Sequence, residues 1–270
     1  DLHSFPTRRS SDLHIVYFAD RLVEFPLGVF SIALATVILP GLSAHHAQQS
    51  PERFNATLDW ALRLVVLLAT PAAVGLLALA GPLTATVYGY GRFGAHDVTM
   101  ATYALMAYSW GLLGFSFVKV LAPGYFARQD TRTPVRVGVF ALGVNMTLNV
   151  LLVLPAFYWF GFKYPHVLLA TSTCVSAAVN SALLLRGLRR AKVYTPSAGW
   201  SGFLARVLVA NLVMAAVLVF LAGPLEPWTF APAMERAGRL TVCIVAGAAA
   251  YFAALAATGL RARHMRSHPL

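Results

Sequence analysis

The hydrophobic positions of this chain gather into seven runs, roughly 16–40, 60–87, 98–124, 135–160, 165–187, 201–223 and 236–260, separated by short polar or basic stretches. Runs of about 20 residues or more suit helices that cross a hydrocarbon core about 30 Å thick. They lack the ten-residue, period-two alternation of outer-membrane barrel strands. The pattern predicts an all-α integral membrane protein with seven transmembrane helices. A short aromatic turn around Lys163-Tyr164-Pro165 joins the fourth and fifth. Pro26 and Pro71 inside runs, and Pro134 at the start of one, suit bent helices whose freed carbonyls face a cavity.

Composition agrees. The chain is 58% hydrophobic and 11% charged, with mean hydropathy +0.67, where soluble domains carry about 25% charged residues. The net charge of +11 does not indicate nucleic acid, because the basic residues sit between the apolar runs. Alternate connections differ in Lys and Arg content. One set holds Arg53, Arg63, Arg128, Arg132, Arg136, Arg186, Arg189, Arg190, Lys192, Arg261, Arg263 and Arg266; the other holds Arg92, Lys163, Arg236 and Arg239. The bias assigns the first set and the C-terminus to the cytoplasm, and residue 14 to the outer side. Cys174 and Cys243 lie within apolar runs without metal-ligand spacing and read as small core residues.

Asp20, Arg21 and Glu24 place three charges inside the first run. A charge at bilayer depth costs about 3 kcal/mol or more unless it is paired, wetted or used. On a helix Asp20 and Glu24 share one face, and Arg21 lies within i,i+3 reach of Glu24. Carboxylates near a helix N-terminus can be simple caps, but capping leaves the arginine unexplained. The cluster reads as the wall of a polar cavity for an anion. Pro26, just below, removes the hydrogen bond to Leu22 C=O and loosens the helix there.

Other intramembrane polar residues are ambiguous. Asn145 and Asn149 share one face of the fourth run, and Thr173 lies in the fifth; interhelical hydrogen bonding is one account of them. Lys119 reads as snorkelling to the surface. Arg128, Asp130, Arg132 and Arg136 form a loop that either anchors the topology and attracts anionic lipid or takes part in gating. Arg186, Arg189, Arg190 and Lys192 read as anchors. Gly89-Tyr90-Gly91-Arg92-Phe93-Gly94 satisfies G-x-G-x-x-G, but it follows a membrane helix with no strand before it. His45-His46 and His96-Asp97 read as polar loop residues, since no further ligand stands at metal spacing. No nucleophile–base pair is evident and nothing suggests bond-making chemistry, so the sequence is read without catalytic residues, metal or cofactor.

Residues 1–13 are polar and aperiodic, and His3 to Leu13 matches the translation of a common sequencing adapter. This stretch is read as an artefact, which implies that the true chain continues upstream of His14.

Two blocks carry a resemblance. Tyr17-Phe18-Ala19-Asp20-Arg21-Leu22-Val23-Glu24-Phe25-Pro26-Leu27-Gly28-Val29, followed by Ala33 to Pro40, closely resembles the MurJ/MviN lipid II flippase family. So does Lys119-Val120-Leu121-Ala122-Pro123-Gly124-Tyr125-Phe126-Ala127-Arg128-Gln129-Asp130-Thr131-Arg132-Thr133-Pro134. The resemblance continues through Tyr194-Thr195-Pro196 to the last run. It implies the C-terminal half, helices 8 to 14, of a fourteen-helix exporter of the multidrug/oligosaccharidyl-lipid/polysaccharide superfamily. Residues 14–192 would then be five spans of the C-lobe, and 193–270 two further helices forming a groove for a lipid tail, with a basic tail. The missing N-terminal lobe would be a partner within the same protein. Arg21 would bind the pyrophosphate of lipid II, with Asp20 and Glu24 beside it, in a bacterial inner membrane, by alternating access. Asn145, Asn149 and Thr173 resemble part of a sodium site completed by an acid on an absent helix, which implies sodium coupling as an option. The alternatives are an exporter of another polyprenyl-linked oligosaccharide and a membrane-embedded polyprenyl-phosphate glycosyltransferase. The latter should carry acidic metal-binding residues in a sizeable aqueous loop, and the loops here are short and hold few acids.

Overall fold

The computed structural model describes residues 7–91, 93–153, 155–156 and 165–259, with side chains at 7–16, 29–37 and 165–166 outside that description. Every regular element among the described residues is a helix. α1 is Thr7–Ala47, α2 Pro51–Ala78, α3 Ala80–Tyr88, α4 Ala95–Phe126 and α5 Arg132–Leu148, the last extended by a π-helical turn, Asn149–Val153. α6 is Pro165–Arg190, α7 Trp200–Ala222, α8 the short Glu226–Phe230 and α9 Ala233–Ala257. Six of these stretches are long and apolar enough to cross a membrane: Pro51–Ala78, Ala95–Phe126, Arg132–Val153, Val167–Arg190, Trp200–Ala222 and Ala233–Ala257. The chain is a multi-pass membrane protein. The first predicted span falls inside α1, whose helix includes residues 7–13 and runs unbroken through Pro26 and Pro40. Lys163, Arg92, the C-terminal arginines and residues 157–160 of the fourth predicted span lie outside the described residues.

The second predicted span, 60–87, is two helices. The chain leaves helical geometry at Leu79, with φ −102° and ψ 15°. Pro82 supplies the cause: it has no N–H to donate to the carbonyl four residues back, at Ala78. The span also starts earlier than its hydrophobicity, at Pro51, a favourable first helical position.

α4 is the central helix and packs on α1, α2 and α6. Its crossing with α6 is close because small residues meet there. A Cβ on Gly114 would lie 3.0 Å from the backbone C of Ala177 and N of Ala178, and one on Gly111 would lie 3.0 Å from Cys174 Cβ. In a membrane such contact between small residues supplies association that the hydrophobic effect does not. Tyr125 Oη adds a 2.7 Å hydrogen bond to Leu184 O. α5 packs on α6 and buries only Ala141, leaving Val139, Phe140 and Met146 on its exposed faces.

α7 and α9 pack together and against α2. Polar bonds at successive levels hold them there. Asn211 Nδ2 donates to Thr70 Oγ1 at 3.0 Å, and Tyr251 Oη donates to Leu67 O at 2.7 Å. At the basic end Asp59, 4% exposed, accepts from four groups. Tyr194 Oη donates to Oδ1 at 2.8 Å, Trp200 Nε1 at 2.7 Å and Ser197 N at 3.3 Å. Arg63 Nε donates to Oδ2 at 2.9 Å and stacks its guanidinium on the Trp200 ring at 5.1 Å. Burial and the neighbouring carboxylate push the Tyr194 phenol far above its ordinary range, so it remains a donor at physiological pH. Arg63 is thus a helix residue engaged in packing, where hydrophobicity placed it in a loop.

At the opposite end Arg236, 5% exposed, is likewise no loop charge. Its Nη1 and Nη2 donate to Gly89 O at 3.1 Å, and Nη1 also donates to Ala85 O, which closes the C-terminus of α3 from α9. The glycines of the G-x-G-x-x-G run serve this turn. Gly89 ends α3, Gly91 has φ +60°, and Gly94 precedes α4, where its N–H donates to Asp97 Oδ2 at 3.0 Å. His96 and Asp97 are therefore first-turn helix residues, and Asp97 caps α4.

Two stability measurements test this packing. Gly114→Ala should lower unfolding stability in detergent by roughly 1–3 kcal/mol, because the α6 backbone cannot yield as a side chain would. Gly138→Ala, inside α5 with open space around its Cβ, should instead raise stability by about 0.5–1 kcal/mol. Asp59→Ala should cost about 3–5 kcal/mol by stranding Arg63 and its neutral donors. Tyr194→Phe, which removes one of several bonds, should cost about 1 kcal/mol.

Candidate functional site

The face of α1 that carries the three charges turns two of them toward a cavity of about 930 Å³ between α1, α4, α5 and α6. Asp20 and Glu24 line it from α1, Lys119 from α4, Asn145 from α5, and Thr173 and Asn180 from α6. The predicted Asp20, Glu24, Asn145 and Thr173 thus share one hollow. A hollow of this size with carboxylates on its α1 wall and an ammonium on its α4 wall has room for water, which is what charge among membrane helices requires.

Arg21 lies outside the lining. Its Nη1 donates to Glu24 Oε2 at 2.8 Å and its Nη2 to Tyr17 Oη at 2.8 Å. Its guanidinium sits 4.8 Å above the Tyr17 ring. The ion pair is open to its surroundings, with the Arg21 side chain 54% and Glu24 53% exposed. Among the described ion pairs Arg21 takes Glu24 as partner rather than Asp20. The geometric reason is the 3.6-residue repeat: Glu24, three residues on, returns to the side of Arg21, whereas Asp20 points about 100° around the helix. Arg21 is therefore one ion pair removed from the cavity wall, beside an aromatic group in which Phe18, Tyr88 and Phe93 pack ring to ring.

The Asn pair is coupled. Asn149 Nδ2 donates to Asn145 Oδ1 at 3.0 Å, and Asn145 Nδ2 donates to Thr173 Oγ1 at 3.3 Å. Thr173 Oγ1 in turn donates to Leu169 O at 3.0 Å. Asn149 Oδ1 is buried and without a hydrogen-bond partner. Asn149 also opens the π-helical turn, a local unwinding common at functional sites. Neutral side-chain oxygens with one left unpaired fit a hard monovalent cation, which prefers oxygen ligands. These residues alone would not complete its shell.

Lys119 and Asn180 were missed as site residues. Hydropathy cannot tell a lysine that climbs to the surface from one that faces a hollow. The helical register could have indicated it, since Phe115, Val118 and Lys119 line the same cavity. The basic loop divides its roles. Asp130 accepts from Thr133 N at 3.0 Å and from Thr133 Oγ1 at 2.7 Å, and these bonds hold its carboxyl below the usual carboxylate range. Arg128 lines a separate cavity at the basic end, and Arg132 starts α5 in an exposed position.

An apolar groove of about 400 Å³ lies on the other side of α4. Val66, Thr70 and Val74 of α2, Trp110 of α4, and Leu204 and Asn211 of α7 contribute to its walls.

A family profile described as lipid II flippase MurJ matches residues 8–234. A probable lipid II flippase MurJ of Vibrio cholerae is 43% identical over 252 residues, which are 93% of this chain and 46% of that protein. A lipid II flippase MurJ of Burkholderia cenocepacia is 39% identical over 253 residues, 93% of this chain and 47% of that protein. A solved lipid II flippase MurJ in an inward closed conformation superposes with TM-score 0.68 at 21% identity, covering 90% of this chain and 46% of that chain. The fold is shared. The chain spans about half the length of the curated relatives it matches.

Proposed function

The chain belongs to the lipid II flippase MurJ family, and from that premise we propose that it forms the C-terminal half of a flippase for lipid II in a bacterial inner membrane. In this reading the basic end and the C-terminus face the cytoplasm. Residues 14–192 form a five-helix lobe, residues 193–270 add an accessory pair, and an N-terminal lobe of the same protein closes the central cavity. Alternating access then moves the cavity from one side of the membrane to the other.

The observation that carries the reading is the polar hollow with an arginine at its edge. Arg21 is always charged, planar and able to give two parallel hydrogen bonds to phosphate oxygens. It now spends them on Glu24 and Tyr17. A diphosphate entering the hollow would replace Glu24 as partner, and Glu24 would swing into water. Binding and a change in cavity shape are coupled by that exchange. Lys119 on the α4 wall of the same hollow offers a second cation. The sugar–peptide head would occupy the cavity, while the polyprenyl tail would stay in lipid along the apolar groove of α2, α4 and α7, since hydrocarbon gains little by leaving hydrocarbon. Two negative charges leaving a negative interior gain about 4.6 kcal/mol at 100 mV, from roughly 2.3 kcal/mol per charge.

Sodium coupling is part of the same proposal. Asn145, Asn149 and Thr173 would hold the ion, which would supply local positive charge between α5 and α6.

A chimera tests the transport reading: residues 14–270 replace the matching half of the Vibrio cholerae relative in cells depleted of their own flippase. The chimera should restore growth, and Arg21→Ala should abolish rescue while still inserting in the membrane. Full rescue by Arg21→Ala would contradict the role given to the arginine, and failure of the parent chimera would argue for another cargo. For the ion, the purified chimera should gain thermal stability in sodium over potassium, and Asn149→Leu should erase the difference. Equal melting of the parent in both salts would contradict sodium binding.

A further inference from the structure

A second cavity, of about 320 Å³, opens at the basic end, away from the central hollow. His45 and His46 from the end of α1, Ser50 from the following turn, Phe54 from α2, Arg128 from the α4–α5 loop and Lys192 from the α6–α7 link all line it. No carboxylate is among its lining residues. Asp130, outside the lining, accepts from Thr133 and also interacts electrostatically with Arg128, and Glu52 lies exposed in the first turn of α2, likewise outside the lining.

Cations at helix C-termini often only balance the carbonyl end of the helix, and α1, α4 and α6 all end here. Those ends are already closed by hydrogen bonds of one kind. Ser50 N donates to His45 O at 3.0 Å, Asp130 N to Tyr125 O at 3.1 Å and Val193 N to Leu188 O at 3.0 Å. The residues before them, Gln49, Gln129 and Lys192, adopt positive φ of 53°, 60° and 54°. This is the closure that satisfies terminal carbonyls without side chains. The positive charge is therefore surplus to the helix ends.

One polar group of a lining residue is also without a partner. His45 Nδ1 is buried and has no hydrogen-bond partner.

We propose that this cavity is a phosphate site for the headgroup of an anionic phospholipid of the surrounding leaflet. The shared chemistry is a phosphate oxyanion held by the Arg128 guanidinium, the Lys192 ammonium and the His45 imidazole. A lipid headgroup rather than free phosphate is the occupant because the cavity sits where basic helix ends meet the interface, and basic pockets between helices at that level take acidic headgroups. The bound lipid would pin together three connections, α1–α2, α4–α5 and α6–α7.

The test is native mass spectrometry of the whole chain in detergent, titrated with phosphatidylglycerol, phosphatidylcholine or inorganic phosphate. One phosphatidylglycerol should be retained in preference to phosphatidylcholine and should resist equimolar inorganic phosphate. Arg128→Gln with Lys192→Gln should weaken it about tenfold or more, whereas Arg186→Gln with Arg190→Gln, which removes the same charge at the same end, should change it by less than about twofold. If the double variant does not purify as a folded species, Lys192→Gln alone, at an exposed position, should weaken binding by about threefold or more. Equal losses in the pocket and control variants would overturn the site. Displacement by inorganic phosphate, or equal retention of phosphatidylcholine, would overturn the lipid assignment.

Discussion

Hydrocarbon does not solvate charge, and every ionised group within this helical bundle has to be answered by donors, by an opposite charge or by water. The structure answers in two ways. Asp59 is saturated: four groups from α2, α7 and the link before α7 donate to its two oxygens. Arg236 is treated similarly with carbonyls, although its Nε remains unpaired. Asp20 and Lys119 face an open hollow, and Glu24 faces it while one of its oxygens accepts from Arg21. The saturated charges hold helices together. The unsaturated ones have capacity to spare for a guest.

That division explains how a bundle of apolar helices can be both firm and permissive. α4 is fixed against α6 by small residues at backbone contact, and α7 and α9 are fixed against α2 by bonds at Thr70, Leu67 and Asp59. α5, which buries little besides Ala141, borders the hollow and ends in a π-helical turn. The same loosely packed helix carries Asn145 and Asn149. A wall with few packing obligations can shift at small cost, as alternating access requires of some elements.

The sequence made the membrane class and most spans legible because length and hydropathy determine them directly. It also exposed Asp20, Arg21 and Glu24, since three charges interrupt an otherwise apolar run. The residues around that cluster, Tyr17 to Val29, identified the family through resemblance, an inference that composition could not have made. What remained hidden depends on distant partners. Arg63 and Arg236 looked like loop charges because each lies at the edge of an apolar window, yet their partners Trp200, Ala85 and Gly89 come from remote segments. Asp59 escaped notice for the same reason. Lys119 faces the hollow only because α4 presents that side to α1, α5 and α6. The break at Leu79 was readable in Pro82 but was masked by uninterrupted hydrophobicity on both sides.

The central claim is that the hollow between α1, α4, α5 and α6 is wet while the packed core is dry. Cysteine accessibility in membranes tests it most directly, in a background carrying Cys174→Ala and Cys243→Ala. Asn180→Cys, on the cavity wall, should react readily with a small water-soluble maleimide, and Ala61→Cys, fully buried beside α4, should not. An Asn180→Cys protein as inert as Ala61→Cys would contradict the account.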